Sequence, residues 1–170
     1  AGGAPKLDGR CGSSVQLRRA AIAAVTDAAF GGPAESLILK RLREDGDMLF
    51  ELVELDGDEI TGHVAFSRLW ADSVQLFTAL APLSIRPDRQ NQGGGGRLTR
   101  AGLDLAKEFG AHGVMVLGHP TYYPRFGFSR EAAAKVASPY SKSPAFLALA
   151  LEPGALDQPL IVAYPDAFKD

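Results

Sequence analysis

The chain predicts a single α/β domain (α+β in character) built on a mixed sheet of six or seven strands with about four helices. Two observations carry that expectation. Asp56-Gly57-Asp58 joins two extended runs, the signal of an antiparallel hairpin. Further on, an apolar run leads through the glycines Gly93 to Gly96 into an amphipathic helix and then into a second apolar run. That is the pattern of parallel strands joined by a helical crossover. At 170 residues and 18.0 kDa the chain suits one domain, and no linker divides it.

The elements follow in order. Residues 1 to 13, rich in Gly, Pro and Ala without periodicity, read as a flexible leader, with the domain proper over 14 to 170. Ser13 or Ser14 caps a helix from Val15 to Phe30, with Ile22, Val25 and Ala29 on one face and Gly31-Gly32 as its stop. Pro33 is placed to open a second helix through Leu37, Ile38 and Leu42 to Asp45-Gly46. The periodicity then changes to extended. Met48 to Leu55, Glu59 to Leu69 and Val74 to Ile85 form a meander, with Ala71-Asp72-Ser73 as its second turn. Pro82 interrupts the third run, because proline donates nothing to a ladder, and a bulge is expected there.

Arg97 to Phe109 is a helix with Leu98, Ala101, Gly102, Leu105 and Phe109 along one stripe, ended by Gly110. Val114 to Leu117 reads as a buried strand. His119-Pro120 starts a short helix carrying Tyr122 and Tyr123, and Ala145 to Leu151 and Leu160 to Tyr164 are the last strands, separated by Glu152-Pro153-Gly154.

Composition removes several function classes. A formal charge of −2 argues against a general nucleic-acid binder, since affinity for phosphate backbones comes from clustered Lys and Arg. No apolar run reaches the length of a membrane span, and no charged-then-apolar signal pattern opens the chain, so no membrane partner and a cytoplasmic location are expected. The first residue is Ala1 rather than Met, as expected of a processed or trimmed chain. One cysteine, Cys11, excludes an intramolecular disulfide, and its Gly/Ser surroundings speak against a catalytic thiol. The three histidines are far apart in sequence, so no metal site is expected.

The strand–glycine–helix segment is the chemical centre of the chain. Small residues at a helix N-terminus expose backbone N–H groups to an anion. The P-loop pattern fails, because Arg97-Leu98 follows the glycines where Lys-Ser/Thr is required. The dinucleotide fingerprint fails at Leu98, where its third glycine belongs. What fits is Gln90-Asn91-Gln92-Gly93-Gly94-Gly95, flanked by Leu83-Ser84-Ile85-Arg86-Pro87 and Leu98-Thr99-Arg100-Ala101-Gly102-Leu103. This resembles the acyl-CoA loop of the GCN5-related N-acetyltransferases (GNAT). Leu117 to Phe128 contains Tyr123-Pro124-Arg125-Phe126-Gly127-Phe128, similar to that family's Tyr-x-Lys/Arg-x-Gly-Phe signature as carried by its YhbS-like branch.

The resemblance implies a GNAT-like fold and an acetyl-CoA-dependent N-acetyltransferase acting by direct attack of a primary amine on the thioester. It implies acetyl-CoA (CoA) as cofactor, an amine-bearing acceptor that is a small molecule, peptide or protein, and a homodimer such as many relatives form. Gln90, Gly93 and Gly95 would hold the pyrophosphate, with Asn91, Gln92, Gly94 and Gly96 lining it and Arg89 or Arg97 reaching an outer phosphate. Leu83, Ser84 and Ile85 would offer backbone groups to the pantetheine arm, the Leu83 N–H pointing at the acetyl carbonyl. Tyr123 would stabilise or protonate the departing thiolate, with Tyr122 as its competitor. His119 is the candidate base, and His63 a second histidine that could line the acceptor cleft. Two departures from the family stand out: its usual first strand has no counterpart in residues 1 to 13, and glycine replaces a larger apolar residue at Gly94.

Two other readings remain open. A non-catalytic acyl-CoA-binding regulatory module could use the same fold, and a Rossmann-type nucleotide binder would need a mostly parallel sheet.

Overall fold

A computed structural model describes residues 9–169, with side chains from Val15 onward. The region expected to be a leader therefore lies mostly outside the described residues, as does the Cys11 side chain. The first described element is a helix, α1 (Gly9–Phe30), which begins earlier than a Ser13 or Ser14 cap predicts. Helix α2 (Ala34–Glu44) follows, with Pro33 at its N-cap rather than inside it.

Three antiparallel strands come next: β1 (Met48–Asp56), β2 (Glu59–Ala71) and β3 (Leu76–Ile85). The hairpin residue Gly57 has φ +59°, a left-handed value that glycine takes without steric penalty. Helix α3 (Gly94–Glu108) crosses over to β4 (Ala111–Leu117), which lies parallel to β3. The short helix α4 (Arg130–Ala133), the two-residue strand β5 (Val136–Ala137), β6 (Phe146–Ala150) and β7 (Leu160–Ala163) complete the chain. The sheet order is β5-β7-β2-β3-β4-β6, with β1 also paired to β2. β1 runs along Ser67 to Glu59, and β7 meets Trp70 and Ala71. The sheet is mixed, as the GNAT-like expectation requires, and it lacks the mostly parallel order of the Rossmann alternative.

The alternation of β2 sorts the helices into two layers. Val64 and Phe66 face α3 and share a buried cluster with Leu98, Leu103 and Ala106, while Ala65 joins Ile22 and Leu39 under α1 and α2. Gly102 permits the close approach of α3, since a Cβ there would overlap the Phe66 ring.

The same alternation carries His63 to the α1/α2 side, where it is fully buried. Its Nε2 lies 2.9 Å from Glu51 Oε1, and Arg43 donates two hydrogen bonds to the same carboxylate at 2.9 and 2.7 Å. Burial alone would raise the Glu51 carboxyl, but the bonds from Arg43 and His63 outweigh it and bring it down to about 2. A depressed carboxylate stabilises the fold above its unfolded value of 4.5, and that stabilisation is lost as pH falls towards 2. The expected contribution is roughly 3 kcal/mol at neutral pH. Urea midpoints for the intact chain and Glu51→Gln should therefore differ at pH 6 and converge near pH 2. An equal gap at both pH values would show that the carboxylate's charge is irrelevant.

Candidate functional site

The site arises where β3 and β4 stop pairing. Their parallel ladder runs from Leu76 and Ala111 to Leu80 and Val116, after which β4 continues against β6 alone, through Leu117 and Phe146. β3 continues against β2, and the register shift between Val64 and Phe66 leaves Ala81 and Pro82 out of that ladder. The bulge expected at Pro82 is present. Beyond Leu80 the two neighbouring strands diverge, and a cleft of about 1020 Å³ opens between them.

Backbone polarity along this edge follows from one hydrogen bond. The Arg86 N–H donates to the Thr61 carbonyl on β2 at 2.8 Å, so by alternation Ser84 also faces β2 while Leu83 and Ile85 face the cleft. The Ile85 carbonyl accepts from Gln90 Nε2 at 3.1 Å, on the side away from β2. The Ser84 expectation is thereby corrected. Its side chain is buried on the α1 side, where Oγ donates to Thr26 Oγ1 at 3.3 Å, and neither its backbone nor its side chain reaches the cleft.

At one end of the cleft stands the glycine loop. Asn91 has φ +64° and Gly93 φ +85°, and this left-handed pair turns the chain into α3. The first bond of the helix is Arg97 N–H to the Gly93 carbonyl at 3.0 Å, so the N–H groups of Gly94, Gly95 and Gly96 precede the helical ladder. Gln90, Asn91 and Gly93 to Gly96 all line the cleft. Gln92 does not, its amide turning back to the Asp88 carbonyl at 3.4 Å.

Gly94 has a local reason. A Cβ there would collide with the Glu54 carboxylate of β1, which fills the place of a larger residue. Glu54 in turn accepts from Arg97 Nε at 2.5 Å, and Arg97 Nη1 donates to the Gln92 carbonyl at 3.0 Å. Arg89 is paired with Asp56 at the hairpin tip. Neither Arg89 nor Arg97 lines the cleft, because each is drawn to a β1 carboxylate. The arginines that do line it are Arg100, one turn into α3, and Arg125. Sequence reasoning passed over both, although Arg100 follows Gly96 by four residues and Arg125 stands inside the Tyr123 signature.

Arg100 lies over the Phe126 ring at 5.1 Å, and Arg125 over the Tyr122 ring at 4.4 Å. Both tyrosines border the cleft, Tyr123 as the first residue of a 3₁₀ turn (Tyr123–Phe126) and Tyr122 at its N-cap, and this turn replaces the expected helix starting at His119-Pro120. The turn is anchored by the His119 carbonyl, which accepts from the N–H groups of Tyr122 and Tyr123 at 3.0 and 3.3 Å. The Tyr122 hydroxyl packs against the glycine loop, 2.8 Å from where a Gly95 Cβ would stand. Tyr123 is 8% exposed, packed on Gly118 and edge-on to Phe128. Burial, and then the neighbouring Tyr122, pushes its phenol up to about 12. It is a neutral hydrogen-bond donor throughout the physiological range. His119 is exposed at the cleft wall, whereas His63 is buried under α1 and α2, so the suggestion that His63 lines the acceptor cleft is also corrected.

The opposite end of the cleft is made by Phe30 at the end of α1, Glu35 and Ile38 of α2, Tyr140, Tyr164 and Phe168. Tyr140 and Tyr164 meet edge to face at 4.9 Å, as do Tyr164 and Phe168 at 5.8 Å. Among the described residues no group of three His, Cys, Asp or Glu side chains gathers to hold a metal, and no helix is long and apolar enough to cross a membrane.

Comparison with known proteins agrees with this architecture. A family model described as the acetyltransferase (GNAT) family matches residues 20–128. The uncharacterized N-acetyltransferase YjhQ of Escherichia coli K12 is 38% identical over 113 residues, 63% of this chain and 62% of that protein. The uncharacterized N-acetyltransferase YhbS of the same organism is 37% identical over 105 residues, 61% of this chain and 63% of that protein. The match thus spans less than two thirds of these curated relatives. Among solved structures, E. coli YhbS in complex with CoA superposes with a TM-score of 0.83 at 30% identity, covering 91% of this chain and 88% of that one. A GNAT family acetyltransferase from Brucella melitensis in complex with acetyl-CoA gives 0.75 at 33% identity, covering 90% and 93%.

Proposed function

Because the chain belongs to the GNAT acetyltransferase family, we propose that it transfers the acetyl group of acetyl-CoA to a primary amine by direct attack on the thioester. The observation that carries this reading is the convergence, in one cleft, of the α3 N-terminal amides, the unpaired β3 edge at Leu83 and the Tyr123 phenol. The two relatives solved with CoA and acetyl-CoA support the choice of cofactor.

The residues present fit that cofactor. The amides of Gly94, Gly95 and Gly96 and the Asn91 side chain hold the pyrophosphate at the positive end of the α3 dipole. Gln90 fixes the loop through the Ile85 carbonyl. Arg100 and Arg125 take the remaining phosphate charge, in place of Arg89 and Arg97. Leu83 and the N–H of Ile85 present an unpaired strand edge to the amide-bearing arm, in the manner of an added strand. Acetyl-CoA supplies an acetyl group already activated as a thioester.

The Leu83 N–H donates to the acetyl carbonyl oxygen as negative charge develops there. His119, directly or through water, takes the proton that the attacking amine must lose, while the C–N bond forms and the C–S bond breaks. Tyr123 donates a hydrogen bond to the departing sulfur. With a phenol near 12 against a thiol near 8.5, that bond stabilises the thiolate more than it transfers a proton outright.

Calorimetric titration with acetyl-CoA, CoA and NAD in parallel tests the reading, followed by thiol release with a panel of amines. Micromolar binding of acetyl-CoA and CoA without NAD, and amine-dependent thiol release, is the expected result. Absence of acetyl-CoA binding overturns it, and binding without thiol release towards any amine leaves a non-catalytic acyl-CoA module.

A further inference from the structure

Charge in the cleft is segregated. The arginines Arg100 and Arg125 border the glycine-loop end, whereas the one carboxylate lining the cleft among the described residues, Glu35, stands at the opposite end beside the aromatic wall. Glu35 forms no salt bridge among the described residues. Phe30 leaves 47% of its surface exposed at this wall, and the Tyr164 hydroxyl is buried with no hydrogen-bond partner among the described residues. The wall is therefore largely apolar, carries one negative charge, and has the Tyr140 and Tyr164 hydroxyls as its other polar groups.

Each of these features selects something in a ligand. Ring faces attract cations, an unpaired carboxylate strengthens that attraction, and uncovered aromatic surface favours an apolar body. A buried hydroxyl without a partner gains a bond when a polar group reaches it. A polyhydroxylated amine would instead lose the hydration of more hydroxyls than the few polar groups of this wall can bond. We propose that the acceptor is a small primary amine on an apolar, ring-sized body, drawn in as its ammonium ion by Glu35 and seated on Tyr140, Tyr164 and Phe168.

This inference rests on the acetyl-transfer reading, and one arm of its test is independent of transfer. Benzyltrimethylammonium has the proposed cation and body but no acetylatable nitrogen. Its binding to the full chain in the presence of CoA is measured by calorimetry, with Glu35→Gln and Tyr164→Leu compared and their thermal midpoints recorded. Each substitution should weaken the probe about tenfold while CoA affinity stays within threefold. In steady-state assays, phenethylamine should exceed glucosamine and a lysine-containing peptide by at least tenfold in kcat/KM. Glu35→Gln should raise the KM for phenethylamine about tenfold and leave that for acetyl-CoA unchanged.

Failure of the probe to bind while CoA binds overturns the aromatic site and leaves acetyl transfer standing, as does preference for the sugar or the peptide. Probe binding that depends on Glu35, in a chain that does not bind acetyl-CoA, supports the cation site and overturns the transfer reading instead.

Discussion

Glutamate placed at both Gly93 and Gly95 lowers affinity for acetyl-CoA by at least a hundredfold, measured by calorimetry, and abolishes thiol release. Three effects add. At Gly93, φ +85° is left-handed, so any side chain there strains the turn, and its Cβ would stand 2.9 Å from Arg97 Nη1. At Gly95 a Cβ would stand 2.8 Å from the Tyr122 hydroxyl and displace it. Most important, two carboxylates would enter the region proposed for the pyrophosphate. Like charges at about 4 Å repel by roughly 1 kcal/mol in water and up to about 4 kcal/mol near a protein surface. Strain alone would lower the thermal midpoint without selecting against one ligand, so both the midpoint and the binding of the Glu35-directed probe serve as controls. Retained affinity in a folded variant would remove the glycine loop from the phosphate site.

Replacing Tyr123 by Phe lowers turnover by about a hundredfold and changes acetyl-CoA affinity by less than threefold. A positioned proton or hydrogen-bond donor contributes on the order of 10² to 10⁴ in rate, and a phenol that serves only the leaving sulfur adds little to ground-state binding. The ring itself packs on Gly118 and Phe128, and Phe preserves that packing. Because burial pushes the phenol to about 12, the wild-type rate should show no loss at pH 10 attributable to this group. Full turnover in Tyr123→Phe, paired with loss in Tyr122→Phe, would move the role to the tyrosine whose hydroxyl packs against Gly95.

What the sequence made legible was whatever is encoded locally. The Asp56-Gly57-Asp58 hairpin, the strand–glycine–helix crossover and the bulge at Pro82 each depend on a few adjacent residues, and each stands where expected. Charged and polar side chains were less legible because distant partners decide where they turn. Arg97 and Arg89 belong to the loop by sequence, yet Glu54 and Asp56, more than thirty residues earlier, take both guanidinium groups. Ser84 and His63 could have been placed better by strict alternation, since Leu83 and Val64 fix which face their neighbours must take. The aromatic wall was beyond reach: Phe30, Tyr140 and Phe168 line one cleft only because α1, the segment after β5 and the segment after β7 converge in the tertiary fold.

The divergence of β3 from β4 also bears on solubility and exchange. It leaves a stretch of unpaired backbone in the interior of a sheet, flanked by apolar residues, which is the kind of edge that pairs with other chains when left uncovered. Proteins usually blunt such edges with charge or a bulge, and Pro82 does part of that here. The rest falls to whatever occupies the cleft. A ligand that lies along Leu83 and Ile85 acts as the missing neighbour strand, so its presence should slow amide hydrogen exchange at Leu83 and Ile85 far more than at Ser84, whose amide already faces β2. Occupancy would then protect the chain against edge-to-edge association by mass action, and the ligand's concentration would set the shelf life of the fold as well as the rate of its chemistry.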